Sequence, residues 1–331
     1  MSGASTTTTA TEHSDGPLKR FLTRPEAPAL IFLAALVVVL SVVADGFLGA
    51  SNFEGILSQV VVIGIIALAV NQVVLSGEID ISTGSMLGLC AMASGTVAVA
   101  GGGLLFTLLA GVAVGALAGA VNGFLVTVAR IPAIIVTLGM LYALRGVLLL
   151  VTGGTWVTGV PAEARVLGIG SVFGVSLPII VLFALFIVME LVNRHSDWGR
   201  NVLAVGGNRR AAMLAGLPSR RVRFWAFVLV GAAVGIASVI YIGRAGSVQT
   251  NAGTGLELQV IAAVVIGGTS IAGGRGSTLA ALTGAVLIGV ILNGMVLLGI
   301  PGVWQDAVLG ALILLAVSTD VLRRKLLGDK A

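Results

Sequence analysis

The sequence predicts an all-α, polytopic membrane protein with about ten transmembrane helices and both termini in the cytoplasm. Of its 331 residues, 57% are hydrophobic and only 10% are charged, and the mean hydropathy is +1.10. Soluble globular domains carry about 25% charged residues, so a soluble protein with one anchor is excluded. Small residues allow membrane helices to approach closely, and G-x-x-x-G patterns at Gly111, Gly115 and Gly119 and at Gly231 and Gly235 predict packing faces.

Ten apolar stretches are candidate spans, since a helix needs about 20 mostly apolar residues to cross the bilayer core. In chain order they are 27–47, 56–75, 84–100, 104–128, 133–151, 175–193, 223–243, 258–273, 277–298 and 304–321. The third and eighth stretches are short and rich in glycine, so they are the least defined as complete crossings. A transmembrane domain is predicted over 25–322, between a disordered cytoplasmic tail at 1–24 and a cytoplasmic tail at 323–331.

The positions of the basic residues predict the orientation, because lysine and arginine accumulate in cytoplasmic loops. With the N-terminus inside, sixteen of the 19 lysines and arginines lie on the cytoplasmic side. Arg165 and Arg244 then lie outside, and Arg145 lies within a span. One missed or extra span would destroy this separation, which supports ten spans with both ends inside.

A hydrophilic segment, residues 194–223, interrupts the apolar sequence on the predicted cytoplasmic side and is called the island below. It holds seven arginines and a single acid. A helix is predicted over 209–215, because Asn208 suits its N-cap, Gly216 suits a left-handed exit and Pro218 prevents continuation. Spanning does not require such a segment, so the island predicts a docking element for a cytoplasmic partner. A helix lying on anionic lipid is the alternative.

The sequence carries no signature of an enzyme. No G-x-x-x-x-G-K-[ST] phosphate loop is present, and the glycine-rich stretch 267–276 lacks its lysine and predicts a tight turn. We therefore expect no catalytic residue, no metal site and no cofactor in this chain. The carboxylates near the spans fall at or near span ends, which argues against coupling to protons or sodium. Active transport would then draw its energy from a partner ATPase.

Several motifs resemble, in family order, those of the permeases of simple-sugar ABC importers of the ribose type. The turn at 77–85 resembles G-G-I-D-L-S-V-G-S, with Glu78 in place of the second glycine. The stretch 131–154 resembles I-P-x-[FI]-I-[VA]-T-L-G…R-G…T-G-G. The stretch 253–274 resembles the G-x-G-x-E-L and G-G-x-S-x-x-G-G motifs of the same family. The resemblance covers roughly residues 55 to 320.

Two segments, 156–163 and 300–306, are more similar to the autoinducer-2 and rhamnose branch of this family. Within the island, 209–216 has the spacing of the E-A-A-x-x-x-G loop of ABC permeases, with Arg210 in place of the glutamate. The small alanines suit close seating in a groove, and the apolar residues after them supply contact area. The residues expected to contact the ATPase are Arg209, Arg210, Ala211, Ala212, Met213, Leu214 and Gly216.

The resemblance implies an ABC importer permease fold that moves a simple sugar (ribose, rhamnose, autoinducer-2 or a related one) into the cytoplasm by alternating access. Implied partners are a second permease, identical or paralogous, a cytoplasmic ABC ATPase that binds ATP and Mg, and a periplasmic or lipid-anchored sugar-binding protein. The implied location is the bacterial cytoplasmic (inner) membrane, in contact with lipid, and no nucleic acid is expected. A stand-alone secondary sugar transporter or facilitator and a membrane scaffold remain as alternatives.

Two groups of polar residues complete the predicted sites. The turn before the third span contains Asp80, Ser82 and Gly84, and its side chains are expected to cap free N–H groups where that helix begins. Amides within the spans suit a sugar pathway, which needs weak donors and acceptors, and interhelical hydrogen bonding is the alternative. The pathway candidates are Asn71, Gln72, Asn122, Thr137, Arg145 and Asn293.

Overall fold

A computed structural model describes residues 26–326 of the protein and, for 319–326, the backbone alone. The predicted N-terminal tail, residues 1–24, lies outside the described residues. The predicted C-terminal tail begins inside a helix that continues to Leu326. The helical part of the chain therefore ends later than the predicted domain boundary.

Helices account for most of the described residues, and two short antiparallel strand pairs accompany them. In chain order the helices are α1 (Ala27–Val43), α2 (Ala50–Leu75), α3 (Thr83–Val99), α4 (Gly103–Thr127), α5 (Ala133–Thr152), α6 (Val166–Ile169), α7 (Leu177–His195), α8 (Asp197–Gly207), α9 (Arg209–Leu214), α10 (Ser219–Ala245), α11 (Leu256–Ile266), α12 (Thr278–Leu297) and α13 (Val303–Leu326). A 3₁₀-helix, Ala162–Arg165, precedes α6. The strands are β1 (Val157–Thr158), β2 (Ser171–Val172), β3 (Val175–Ser176) and β4 (Ser247–Val248), where β1 pairs with β4 and β2 with β3.

Each of the ten predicted spans coincides with one helix. Six of these helices are long and apolar enough to cross a membrane by length and composition: α2, α4, α5, α7, α10 and α12. The shorter apolar helices are α1, α3, α11 and the first part of α13. A helix satisfies all of its backbone hydrogen bonds within one segment, which is why long apolar stretches adopt it in lipid. The all-α, polytopic class is confirmed.

The eighth predicted span differs most from the structure. It was expected over 258–273, but α11 ends at Ile266 and is only 11 residues long. Its length of about 16 Å is roughly half of the ~30 Å hydrocarbon core. The helix starts after Gly255, whose φ of +80° is left-handed, and stops at Gly267, whose Cβ would lie 2.0 Å from the carbonyl oxygen of Ala280. The next residue, Gly268, has a φ of +115°, so the chain turns away from the helix there while α12 packs closely on Gly267.

Helices α4 and α10 pack against each other through the predicted G-x-x-x-G faces. A Cβ atom on Gly231 would lie 1.9 Å from the carbonyl oxygen of Gly115. A Cβ on Gly235 would lie 2.4 Å from the carbonyl oxygen of Gly111, and one on Gly119 would meet the backbone of Phe227 at 2.3 Å. The two backbones touch directly, so the predicted packing faces are confirmed.

The helices differ in how much of their surface lies inside the protein. Helices α2, α10 and α12 bury most of their residues, whereas α4, α5 and α7 bury less than a third of theirs. The exposed side chains of α5 include Ile135, Leu138 and Tyr142. Because these faces are apolar, they are surfaces for lipid or for a second membrane protein.

The end of the helical assembly that carries the island is called the island face below. Helices α2 and α11 end there, and the segments that lead to α3 and α12 begin there, because the turns after Leu75 and Ile266 both contact the island. At the opposite face, β1 and β4 join the segment after α5 to the segment after α10. The Nε of Arg165 also donates a hydrogen bond of 2.9 Å to the carbonyl oxygen of Gly243 there.

Candidate coupling site

The island folds into two short helices, α8 and α9, between α7 and α10. Asn208 caps α9, because its Oδ1 accepts a hydrogen bond of 2.9 Å from the N–H of Ala211. Gly216 has the left-handed φ of +78° that the predicted exit requires. Helix α9 ends at Leu214, one residue before the predicted end. The capped helix in the middle of the island is therefore confirmed.

Helix α8 was not predicted. Its start has a signal in the sequence, since Ser196 accepts a hydrogen bond from the N–H of Gly199 as an N-cap residue does. Its inner face is also visible as a pattern, because Trp198, Val202 and Val205 recur at helical spacing. The valines are fully buried, and they form the base on which α9 rests.

Helix α9 presents one side to the protein and the other to its surroundings. Ala212 is buried in a small apolar cluster with Leu75, Val202, Val205 and Val222. Met213 and Leu214 point away from this cluster and are 55% and 84% exposed. The expectation that Ala212 contacts a partner is therefore corrected: its methyl group seats α9 on α8 and α10. The partner-facing surface is left to Met213, Leu214 and the exposed arginines.

Glycines bring the island into direct backbone contact with two turns of the membrane part. A Cβ on Gly206 would lie 1.8 Å from the carbonyl oxygen of Leu75, and one on Gly273 would lie 2.8 Å from the Cα of Gly77. The N–H of Gly274 donates a 2.9 Å hydrogen bond to the carbonyl oxygen of Leu75. We call these residues the glycine junction. The predicted turn at 267–276 is confirmed and lies against the island.

Glu78 connects the island to the membrane helices by salt bridges. Its Oε1 lies 2.5 Å from Nη2 of Arg209, the first residue of α9, and 2.6 Å from Nη2 of Arg223 in α10. The side chains of Glu78 and Arg223 are only 9% and 11% exposed, against 42% for Arg209. Sequence reasoning noted Glu78 only as a departure from the family motif and missed this role. Glu78 and Arg209 are 131 residues apart in the sequence, so no local pattern indicates the pair.

The segment that follows Glu78 is held by polar contacts to α4 and α5. The Oδ1 of Asp80 accepts hydrogen bonds from the N–H of Ser82 at 2.9 Å and from its hydroxyl at 2.6 Å. The Nδ2 of Asn122 in α4 donates to the Oγ of Ser82 at 2.9 Å. The hydroxyl of Thr137 in α5 donates to the carbonyl oxygen of Ala133 at 2.9 Å and also lies 3.4 Å from that of Ile79. All of these side chains are buried, so this segment is fixed at several points.

The expected capping of α3 takes a different form. No side chain caps the first turn of α3 itself, and Asp80 instead satisfies the N–H of Ser82 just before the helix. Gly84 allows close approach, since a Cβ there would lie 1.9 Å from Oε2 of Glu257 and 2.4 Å from the carbonyl oxygen of Gly253. The starts of α3 and α11 therefore lie side by side within the membrane part.

The position of Glu257 changes one sequence-based expectation. This residue was placed near the outer end of a full span, but α11 is only half a bilayer long and its other end lies at the island face. Glu257 is therefore within the bilayer thickness. Arg145 lies close enough to attract it and Asp306 close enough to repel it. The Nη1 of Arg145 also donates a 2.9 Å hydrogen bond to the carbonyl oxygen of Ala252 in the turn before α11.

The remaining pathway candidates do not form one group. Asn71 bridges helix ends, donating to the carbonyl oxygen of Ser277 at 3.2 Å and accepting from the hydroxyl of Thr269 at 2.7 Å. Asn293 donates to the side chain of Asn52 at 2.7 Å near the start of α2. Gln72 is fully buried, and its amide has no hydrogen-bond partner among the described residues. These amides face the interior of the chain, and a role in a pathway stays a prediction.

A cavity of about 840 Å³ opens at the island face between α9, the start of α10 and the connection from α4 to α5. Its lining includes Arg130, Arg209, Arg220, Arg223 and Glu78, so four positive groups meet one negative group there. Arg130 has a left-handed φ of 59°, which is uncommon for a residue with a side chain. The site is therefore strongly basic beside the exposed side of α9. Within the described range 26–326, no cluster of three or more His, Cys, Asp and Glu is placed to hold a metal ion.

Comparison with known proteins gives a consistent set of relatives. Residues 52–317 match the family described as branched-chain amino acid transport system / permease component. A Yersinia enterocolitica protein named autoinducer 2 import system permease protein LsrC is 37% identical over 88% of this chain and 81% of its own length. Proteins with the same name from Yersinia pseudotuberculosis serotype O:3 and Yersinia pestis Pestoides F are each 35% identical over 91% of this chain and 85% of their own length. No solved structure matches the chain.

Proposed function

Because the chain belongs to the branched-chain amino acid transport system / permease component family, we propose that it is the permease subunit of an ATP-binding cassette importer. The relatives are named for autoinducer 2 import, and we propose a substrate of the same class, a small simple-sugar-like molecule. In this proposal ATP and Mg bind in a partner chain. The sequence supports that division, since it contains no phosphate loop.

The observation that carries the proposal is the way the island presents α9. One side of this helix is seated on α8 and α10 through Ala212, and the other side exposes Met213 and Leu214. Met213 and Leu214 are adjacent and lie close to the exposed Arg209 and Arg210, and apolar surface rimmed by polar residues is typical of interaction sites. The basic cavity next to them suits the acidic side chains of a partner. We propose that the ATPase binds this surface, which places the island face in the cytoplasm of a bacterial cell.

We propose that the assembly contains two permease chains, as the resemblance to ABC importer permeases implies. The second permease is the same chain or a paralogue. The exposed apolar faces of α4, α5 and α7 are available for this contact and for lipid. A sugar-binding protein, periplasmic or lipid-anchored, is proposed to deliver substrate at the opposite face.

A secondary transporter that works alone is the second candidate, and Glu257 is the observation that favours it. An acid within the bilayer thickness is typical of proton and ion relays. Arg145 lies close enough to attract this acid, however, and ionisable side chains within membranes also pair with one another. The position of Glu257 therefore keeps this candidate open without making it the better one.

Reconstitution into liposomes separates the candidates. We would measure uptake of labelled ribose, rhamnose and autoinducer 2 by the chain alone and by the chain with the ATPase and binding protein encoded beside it. The proposal expects uptake only in the complete system with ATP supplied to the island face. Uptake by the chain alone, driven by a proton or sodium gradient, would support the second candidate. A complete system that transports nothing from this panel would contradict the proposed importer.

A further inference from the structure

One short segment, Gly77 to Ser82, joins the island to the membrane helices. At one end, the carboxylate of Glu78 accepts from Arg209 in α9 and from Arg223 in α10. In the middle, the carbonyl oxygen of Ile79 lies 3.4 Å from the hydroxyl of Thr137 in α5, a weaker contact than the 2.9 Å hydrogen bond that this hydroxyl donates to Ala133. At the other end, Ser82 is bound by the amide of Asn122 in α4. A displacement of α9 therefore has a continuous path of polar contacts to α4 and α5.

Glu78 is the critical link in this path because of its burial and charge. A single carboxylate oxygen accepts from two guanidinium groups, and charge-assisted hydrogen bonds of this kind are stronger than neutral ones. In the described part of the chain, neither Arg209 nor Arg223 has another salt bridge. The Nε of Arg223 is also buried without a hydrogen-bond partner among the described residues. The salt bridge to Glu78 is therefore the main compensation for the buried charge of this arginine.

We propose that Glu78 is a positioning residue that couples α9 to α4 and α5 during transport. This inference rests on the proposed function. When the ATPase moves α9, the two salt bridges carry the Gly77–Ser82 segment with it, and that segment displaces Asn122 and Thr137. Without the bridges, α9 moves while the membrane helices do not follow.

The test is the substitution Glu78→Gln in the complete reconstituted importer. Glutamine keeps the shape of the glutamate side chain and removes its charge. The readout is the number of ATP molecules hydrolysed per sugar imported. We expect this ratio to rise roughly tenfold or more, as expected for the loss of a charge-assisted hydrogen bond. The conservative variant Glu78→Asp retains the charge and should recover part of the coupling. The matched control is Asp197→Asn, since Asp197 also pairs with an island arginine but is 88% exposed.

A purely structural role for Glu78 would lower transport and hydrolysis together and leave the ratio unchanged, and that result would overturn the inference. If Glu78→Gln fails to fold, the inference is tested with Arg209→Gln. This variant removes only the more exposed salt bridge and leaves Arg223 paired with Glu78. A raised ratio in that variant supports the inference, and an unchanged ratio overturns it. If the proposed function itself is wrong, the unmodified importer will show no ATP-dependent uptake at all, which distinguishes this case from a failure of the inference about Glu78.

Discussion

The contact between α4 and α10 makes a sharp prediction for Gly231→Ala. The new Cβ would lie 1.9 Å from the carbonyl oxygen of Gly115, whereas ordinary contact starts at 3.4 Å. The obstacle is backbone, so a rotamer change cannot relieve it. The two helices must separate by about 1.5 Å, which weakens dispersion contacts along their whole shared face. Membrane helices associate mainly through such packing.

The expected loss is about 1–3 kcal/mol in the free energy of unfolding, the usual range for overpacking. Alanine is favoured over glycine in a helix by about 1 kcal/mol, which reduces the net effect toward the lower part of that range. The assay is equilibrium unfolding of the purified chain in detergent, followed by circular dichroism. Gly139→Ala in α5 is the matched control, because a Cβ there meets nothing within 4 Å. We expect this control to be as stable as the unmodified protein or more stable.

Equal stability of Gly231→Ala and Gly139→Ala would refute the reasoning, since both substitutions add one methyl group to a helical glycine. The only difference between them is the backbone of the neighbouring helix. The same outcome would mean that α4 and α10 do not touch as described.

Three further predictions concern the island and the turn before α11. Leu214→Glu should abolish co-purification with the ATPase without changing the unfolding curve, because Leu214 is 84% exposed. The control Phe173→Glu, at a fully exposed residue of the opposite face, should retain full binding. Gly216→Pro should abolish ATPase stimulation while insertion is preserved, since proline cannot adopt the φ of +78°, and normal stimulation would contradict the assigned exit. Arg145→Gln should lower the free energy of unfolding by about 1–3 kcal/mol through loss of its charged hydrogen bond to Ala252, and an unchanged curve would show that this bond contributes nothing.

The spans could be predicted because hydropathy alone identifies a segment that must satisfy its own backbone in lipid. The early end of α11 was only partly predictable: the glycine-rich stretch 267–276 predicts a turn, but the span predicted from hydropathy runs on to residue 273. In the structure the chain leaves the helix at Gly268, whose φ is +115°, and α12 packs closely on Gly267 just before it. The G-x-x-x-G faces were predictable, because the spacing of the glycines lies within a single helix.

The site was predictable only in its local parts. Asn208 and Gly216 act within a few residues of themselves, so their roles are visible in the sequence. The orientation of Ala212 is not, because α9 has six residues and too few turns to show a periodicity. The partnership of Glu78 with Arg209 spans 131 residues and depends on three separate segments meeting.

The glycine junction has a mechanical consequence. The backbone of Gly206 in the island is in close contact with that of Leu75. The hydrogen bond at the junction, however, joins Gly274 to Leu75 and does not include a residue of the island. Such a contact resists movement of the island toward the turns, because peptide groups have no side-chain torsions that could relieve the overlap. It offers little resistance when the island moves away from the turns. A push from the ATPase side would reach both turns at once. A pull on α9 would instead be carried by the salt bridges of Glu78 and by the covalent connections of the island to α7 and α10.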